Sequence, residues 1–368
     1  MKQNTNRLQS IDALRGFDMC WIMGVPGIIY ALSGIFGGNT WAWCSEQMEH
    51  VPWDGFHLMD LVFPLFLFIA GVSFPFSLAK RRDRNGTNGP IYRHIIKRTC
   101  ILVLLGFVYN GWLNMDVATF RFASVLAHIG LAWCFGALLY MHIRKESLIW
   151  TTILAILLGY GLLNLYVLAP DAVGTNTLVP DNNIVAWFDR NFLPGVLYNG
   201  NYDPEGLLSL VPAIATALLG MLSGNYLMRS QARPSRKALT LFLSGAVLLL
   251  LALLAETVIP FNKALWSSSF VLLTGGLSIL LLALFYWTID VLGFTRWSFF
   301  FRVIGLNSIA IYMAQVIVNF SGINSFFLTG IATRLFPAFQ SLILSMGYVA
   351  VCWLFLWFLY QKKVFIKV

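Results

Sequence analysis

One short stretch of this chain brings imidazole and carboxylate side chains together: His50-Val-Pro-Trp53-Asp54-Gly-Phe-His57-Leu-Met-Asp60-Leu-Val-Phe-Pro64. A helix N-terminus favours the neutral form of a nearby imidazole, while a carboxylate fixes its tautomer and favours the cation. The two influences together suit a proton acceptor poised near neutral pH. Pro52 ends the preceding loop, and Asp54 is expected as the N-cap of the following helix, holding His50 just above its N-terminus. Asp60 then lies about 9 Å deeper, at roughly 1.5 Å of rise per residue. Pro64 has no N–H for the carbonyl of Asp60, so an open carbonyl and a carboxylate share one level, an arrangement tolerated only against protein or a wet cavity. His50 and Asp60 are therefore the candidate catalytic pair. The plainer alternative is an interfacial histidine beside an aspartate that bonds a neighbouring helix. His57 with Glu46 or Glu49 raises a metal site, but no repeated ligand spacing supports it and no metal is expected.

Three further polar clusters interrupt apolar sequence: Tyr202-Asp203-Pro-Glu205-Gly206, Asn262-Lys263-Ala-Leu-Trp-Ser267, and Gly305-Leu-Asn307-Ser308 with Tyr312. Each has an ordinary reading: capping for Asp203 and Glu205, snorkelling for Lys263, helix–helix hydrogen bonding for Asn307. Asp12, Arg15 and the deeper Asp18 open the first apolar run, and the spacing of Asp12 and Arg15 lets them pair on one helix face. His128 lies mid-run and reads as a donor bridging two helices; His94 and His142 read as interfacial.

These residues are positioned by a chain of 368 residues, 58% hydrophobic and 11% charged; a soluble domain is about a quarter charged. That composition excludes a soluble protein, a collagen, a coiled coil and a disordered chain. Ten apolar runs, each near the roughly 20 residues that cross a bilayer, cover 8–32, 56–79, 92–111, 120–142, 149–169, 206–228, 236–258, 267–290, 300–319 and 338–360. The expected fold is an all-α polytopic membrane protein of about ten transmembrane helices, a single domain over 1–368. The first run has no small-residue cleavage signature and is expected to stay as a helix.

Placing the N-terminus in the cytoplasm sorts 21 of the 25 Lys and Arg residues onto the inner side, which puts both termini in the cytoplasm by the positive-inside rule. Only Arg121, Arg190, Lys263 and Arg334 fall outside. Orientation and anionic lipid thus account for the net charge of +9, and no nucleic-acid partner is implied. Segments 36–55 and 170–205 become the periplasmic loops and 80–91 a cytoplasmic loop. The five cysteines include no CxxC pair, so no disulfide framework or zinc ribbon is implied.

The run from His50 through Gly55, followed by Asp60-Leu-Val-Phe-Pro-Leu-Phe-Leu-Phe-Ile-Ala-Gly71, resembles the signature of the heparan-α-glucosaminide N-acetyltransferase family and its bacterial members. The likeness continues in order: Arg7-Leu-Gln-Ser-Ile-Asp-Ala-Leu-Arg-Gly-Phe17 resembles the family's opening, and the three polar clusters resemble its central, later and near-terminal motifs. Against the lysosomal enzyme, the chain corresponds to the ten-span catalytic unit. The resemblance implies transfer of an acetyl group from cytosolic acetyl-CoA to a glucosamine-type amine across a bacterial inner (cytoplasmic) membrane, with His50 as base or acetyl carrier and Asp60 orienting it. It further implies an acceptor held by Trp53, Asp203 and Glu205, a thioester carbonyl polarised by Lys263 and Asn307, and coenzyme A phosphates met by Arg15, Arg93, Lys97 and Arg98. The partners expected are an amino-sugar or glycan acceptor and membrane lipid, with a homodimer left open. The chain departs from the family at Pro26, where members usually carry Asn, and at Ser124-Val-Leu-Ala-His128-Ile, where they tend to have Gly-Val-Leu-Gln-Arg-Ile. A sugar or glycolipid transporter is the rival reading, since Pro-interrupted helices and polar groups at membrane depth suit transporters too; a non-enzymatic scaffold is a third.

Overall fold

Apolar runs in this chain become helices because a bilayer offers no partner to an unpaired backbone amide. The computed structural model describes residues 8–85, 87–114 and 119–366. Lys2, Arg7 and Lys367 of the charge sorting lie outside the described residues. In chain order the helices are α1 (Gln9–Ile22), α2 (Val25–Phe36), α3 (Gly38–Glu46), α4 (Val62–Asn85), α5 (Gly89–Tyr109), α6 (Val125–His142), α7 (Glu146–Tyr166), α8 (Ile184–Phe192), α9 (Leu210–Arg229), α10 (Pro234–Glu256), α11 (Ser268–Phe285), α12 (Phe299–Leu306), α13 (Ser308–Ile317), α14 (Phe320–Ala332) and α15 (Pro337–Gln361). Among the described residues strand pairing is limited to isolated bridges. The protein is an all-α polytopic membrane protein.

Every one of the ten expected runs falls on a helix or a bent helix pair. Among the described residues seven helices are long and apolar enough to cross a membrane, or up to nine if each bent pair is one span. The remaining run is α5, whose first half carries Arg93, Lys97 and Arg98. The first run is not one straight helix: α1 and α2 meet at 56°, where Gly24 takes a left-handed φ of 111° and Pro26 lies in the first turn of α2, where a proline is tolerated. The ninth run breaks likewise, α12 and α13 meeting at 70°.

Segment 36–55, expected as a loop, contains α3, and segment 80–91 is helical over most of its length because α4 runs on to Asn85 and α5 begins at Gly89. The second helix also starts differently from expectation. It opens with a 3-10 turn, Leu58–Leu61, capped by His57, whose N–H donates to the Asp60 carboxylate at 3.1 Å and whose carbonyl accepts from Asp60 N–H at 2.9 Å. Asp54 is therefore not the N-cap. Pro64 lies in the first turn of α4, where amides have no intrahelical acceptor in any case, so it opens no gap in the ladder.

Two compact units divide the chain. Among the described residues, one comprises 53–56, 63–85, 87–114 and 119–284, the other 8–52, 57–62 and 285–366. In the first, the helical segments that include α4, α9 and α11 are more than 70% buried over their most apolar stretch, against 22% for α10, whose Leu239, Phe242, Leu243, Val247 and Leu250 face outward as lipid-facing side chains do. Contact between α4 and α9 is made through glycine. Gly220 and Gly224, four apart on α9, lie against the Phe68 and Val72 carbonyls of α4, the small-residue spacing by which membrane helices approach closely.

The second unit is organised on α1 crossing α12, with α2, α14 and α15 packed around them. Gly16 and Gly305 face each other at that crossing, so that a methyl on Gly16 meets the Phe301 carbonyl and one on Gly305 meets the Asp12 carbonyl. Both glycines belong to motifs singled out above. Gly16→Ala and Gly305→Ala are each expected to cost about 1–3 kcal/mol by overpacking, read as a lower melting temperature in detergent. An unchanged melt for both would show that the helices can separate at no cost.

Candidate functional site

His50 and Asp60 lie in the second unit. Asp60 is the third residue of the 3-10 turn, and the two before it are pinned to the segment after α3: Met59 N–H donates to the Gln47 carbonyl at 3.1 Å and Leu58 N–H to Gln47 Oε1 at 3.2 Å. The chain thus doubles back, and the His50 imidazole meets the carboxylate directly, Nδ1 to Oδ1 at 2.7 Å. The other carboxylate oxygen accepts from His57 N–H at 3.1 Å and Val51 N–H at 3.4 Å. Asp60 is buried, its side chain 1% exposed, whereas that of His50 is 53% exposed. A carboxylate can only accept, so the proton of the neutral ring sits on Nδ1 and Nε2 carries a lone pair. His57 meets the Glu49 carbonyl at 3.2 Å and Glu46 at 3.8 Å; among the described residues no three side chains of metal-binding type cluster.

The other site residues named from sequence fall mostly in the first unit, where three motifs meet. Asp54 forms a bridge with Asn262, its carboxylate accepting from Asn262 Nδ2 at 3.0 Å, while Gly55 N–H donates to the Phe261 carbonyl at 2.7 Å. Trp53 donates from its indole to the Leu178 carbonyl at 2.8 Å and packs edge-on against Tyr202, ring centroids 4.7 Å apart. The Trp-Asp-Gly, Tyr-Asp-Pro-Glu-Gly and Asn-Lys-Ala-Leu-Trp-Ser segments are therefore one structure.

The Tyr202–Gly206 segment also binds a residue that the sequence left unassigned. Arg121 sits on an extended segment bridged to Gly195 and tied down by Asn110, which donates to the Arg121 and Ala123 carbonyls at 2.9 and 2.6 Å. Its guanidinium grips Asp203 bidentately, Nε to Oδ2 at 2.7 Å and a terminal nitrogen to Oδ1 at 2.5 Å, and the same nitrogen donates to Glu205. The Tyr198 ring covers it at 4.7 Å. Burial works against the Arg121 charge, but Asp203 and Glu205 outweigh it and raise its pKa. Glu205 is pushed upward by burial, opposed first by Arg121 and reinforced by Asp203, with Lys263 also favouring the anion. Of the four basic residues sorted outside, Arg121 and Arg190 are thus paired with carboxylates, Arg190 with Asp171 at 2.9 Å, and Lys263 acts on Glu205.

His128 is buried, its ring stacked on Trp266 with centroids 5.3 Å apart. Trp266 is fully buried with a left-handed φ of 51°, a strained conformation for an aromatic residue. Asn307 lies in the second unit at the α12–α13 bend. Its amide donates to the Val364 carbonyl at 3.0 Å and accepts from Ile366 N–H at 2.9 Å. Asp12 and Arg15 approach to 3.7 Å. Arg93 and Lys97 are exposed and Arg98 half-buried, the last stacked over Trp133 at 4.1 Å.

Residues 7–255 match the family model described as heparan-alpha-glucosaminide N-acetyltransferase, catalytic. The chain belongs to this family. Among curated family proteins, heparan-alpha-glucosaminide N-acetyltransferase of Homo sapiens is 27% identical over 366 residues, covering 84% of this chain and 52% of the human protein. The mouse (Mus musculus) protein of the same name is 25% identical over 374 residues, covering 86% of this chain and 54% of its own length. The chain spans about half the length of these family members.

One acid of the first unit makes a separate expectation measurable. Asp189 on α8 is buried, and burial raises its carboxyl to about 7; the Asp203 charge adds to the rise, while Leu207 N–H, donating at 2.8 Å, and Arg190 oppose it. Between the ordinary aspartate range and about pH 7 the folded state holds a proton that the unfolded chain has released, so stability falls as pH rises through that window. Asp189→Asn removes the penalty and keeps an acceptor for Leu207. Its melting temperature is expected to exceed the wild type's by more at pH 8 than at pH 5. A gap independent of pH would refute the assignment.

Proposed function

We propose that the protein is a membrane-embedded acetyltransferase that moves an acetyl group from cytosolic acetyl-CoA to the amine of a glucosamine-type sugar on the extracytoplasmic face of a bacterial inner membrane. The observation that carries this reading is the His50–Asp60 pair: a half-exposed imidazole with a buried carboxylate on Nδ1, which in the neutral ring leaves the lone pair on Nε2. Membership of the acetyltransferase family supports it, and the charge sorting supports both termini in the cytoplasm.

Two routes use that nitrogen. As a general base, Nε2 takes a proton from the acceptor nitrogen as the C–N bond forms and the C–S bond of the thioester breaks, and returns it to the departing thiolate. As a carrier, Nε2 itself attacks the acetyl carbon and releases the thiolate; the amine then attacks the acyl-imidazole, breaking the N–C bond and freeing the ring, and the amine's proton passes by way of Nε2 to the thiolate. In both, the Asp60 carboxylate steadies the ring when it is positively charged. Trp53 offers a stacking face to the sugar and Glu205 a carboxylate, with Asp203 shaping the loop that carries it. Lys263 polarises the thioester carbonyl. Asn307 is read as a brace of the α12–α13 bend, because its amide already holds Val364 and Ile366. Arg15, Arg93, Lys97 and Arg98 meet the phosphates of the donor.

Purified protein incubated with labelled acetyl-CoA and a panel of glucosamine acceptors tests the reading. Labelled N-acetyl sugar is expected. Sugar movement across proteoliposomes without acetylation would replace it with the transporter reading that the two broken helix pairs otherwise suit.

A further inference from the structure

Where α6 gives way to α7 in the first unit, Ile143, Leu148, Thr151, Thr152, Ala155 and Ile156 line a groove of about 550 Å³. That volume is ordinary for a ligand site. The two threonines add little polarity. Thr151 Oγ1 donates to the Ser147 carbonyl at 3.0 Å and Thr152 Oγ1 to the Leu148 carbonyl at 2.8 Å, so neither hydroxyl proton is left for an occupant. From Leu148 to Ile156 the lining covers about 12 Å of helix at roughly 1.5 Å per residue, close to one leaflet's half of the roughly 30 Å hydrocarbon core. A partner helix would use the whole span, whereas an acyl chain needs one leaflet.

One end of this apolar groove is charged. Arg144 and Lys145 follow Ile143 directly in the turn between the two helices, and both are exposed. The adjacent acid, Glu146, is engaged elsewhere, accepting from Asn225 Nδ2 of α9. The opening amides of α7 have no intrahelical acceptor, and its N-cap, Lys145, makes no side-chain cap bond, so a helix N-terminus that favours anions lies beside the two cations. The charge sorting puts this end of the helix pair on the inner side. We propose that the groove holds one acyl chain of an anionic phospholipid of the inner leaflet, its phosphate met by Arg144, Lys145 and the first amides of α7. A headgroup of net negative charge is selected over a zwitterionic one, because two cations and a helix N-terminus converge where the neighbouring carboxylate is already taken. This site is independent of the acetyltransferase reading.

The test titrates the delipidated full chain in detergent with phosphatidylglycerol or with phosphatidylcholine of the same acyl chains, following the rise in melting temperature that binding to the folded state produces. Phosphatidylglycerol is expected to bind more tightly, and Arg144→Gln and Lys145→Gln are each expected to lower its affinity about fivefold while leaving phosphatidylcholine unchanged. Ala155→Trp, at an exposed position in the groove, is expected to abolish the preference; Leu158→Trp, exposed on the same helix outside the groove, is expected to keep it. Phosphatidylglycerol carrying a photoreactive group on its acyl chain is expected to label wild-type protein within residues 148–156, a readout that decides the matter if a variant fails to fold. Equal affinity for the two lipids, or label spread evenly over the outward residues of α7 and α10, would overturn the proposal and leave ordinary solvation by lipid. Disulfide-linked copies of an Ala155→Cys variant would overturn it in favour of a second chain in the groove.

Discussion

Replacing His50 with alanine is expected to abolish acetyl transfer while leaving the fold intact. The side chain is half-exposed, and Asp60 keeps the Val51 and His57 amides when the ring is gone. The loss is therefore kinetic. General base catalysis alone is worth about 10²–10⁴-fold, and loss of a covalent carrier removes the route altogether. Melting temperature and acetyl-CoA affinity are expected to change little. The two mechanisms separate in the absence of acceptor: if His50 carries the acetyl group, wild-type protein mixed with labelled acetyl-CoA retains acid-quenched, hydroxylamine-sensitive label and His50→Ala does not. Transfer that survives His50→Ala at a wild-type rate would end the catalytic assignment of this residue and move attention to the Arg121–Glu205 cluster.

How much of this was readable in advance depends on whether the determining contact is local. The apolar runs were readable because a single physical requirement, an internally bonded backbone across about 30 Å of hydrocarbon, acts on consecutive residues. The bends within the first and ninth runs were not, since each arises from one backbone position, Gly24 or Asn307, inside otherwise continuous apolar sequence. Helix α3 was hidden by its opening Gly38-Asn39 and its lack of apolar periodicity. Asp54 has the right residue type for a cap, but its partner Asn262 is 208 residues away, and the cap passed to His57.

The pairing of His50 with Asp60 follows from their nearness in sequence, though through a chain reversal and not along a straight helix. Arg121 was the residue missed. Its partners lie 82 and 84 residues downstream, beyond any pattern in one sequence. A signal did exist: an arginine bordering an apolar run on the side from which basic residues are otherwise depleted needs a carboxylate, and the acidic 170–205 segment was the place to look for one.

Asp60→Asn is expected to cost nearly as much as loss of the imidazole, for a reason visible in the hydrogen bonds. Oδ2 receives two backbone amides, from His57 and Val51, so an asparagine must keep its oxygen there; an NH2 group in that place would set donor against donor. The amide nitrogen is then directed at His50 Nδ1, where the carboxylate oxygen lies 2.7 Å away in the native protein. A donor at that position forces Nδ1 to accept, which moves the ring proton to Nε2 and removes the lone pair that both mechanisms need. The variant also loses the negative charge that supports a cationic ring. A comparable exchange in a serine protease triad lowers kcat about 10⁴-fold with the geometry preserved; a loss of about 10²–10⁴-fold is expected here, with the KM for acetyl-CoA little changed. Nitrogen NMR of labelled histidine reads the tautomer directly, and the His50 signal should switch from the Nδ1–H to the Nε2–H form. A variant with kcat within about threefold of wild type, or with the Nδ1–H form retained, would reduce Asp60 to a brace of the 3-10 turn.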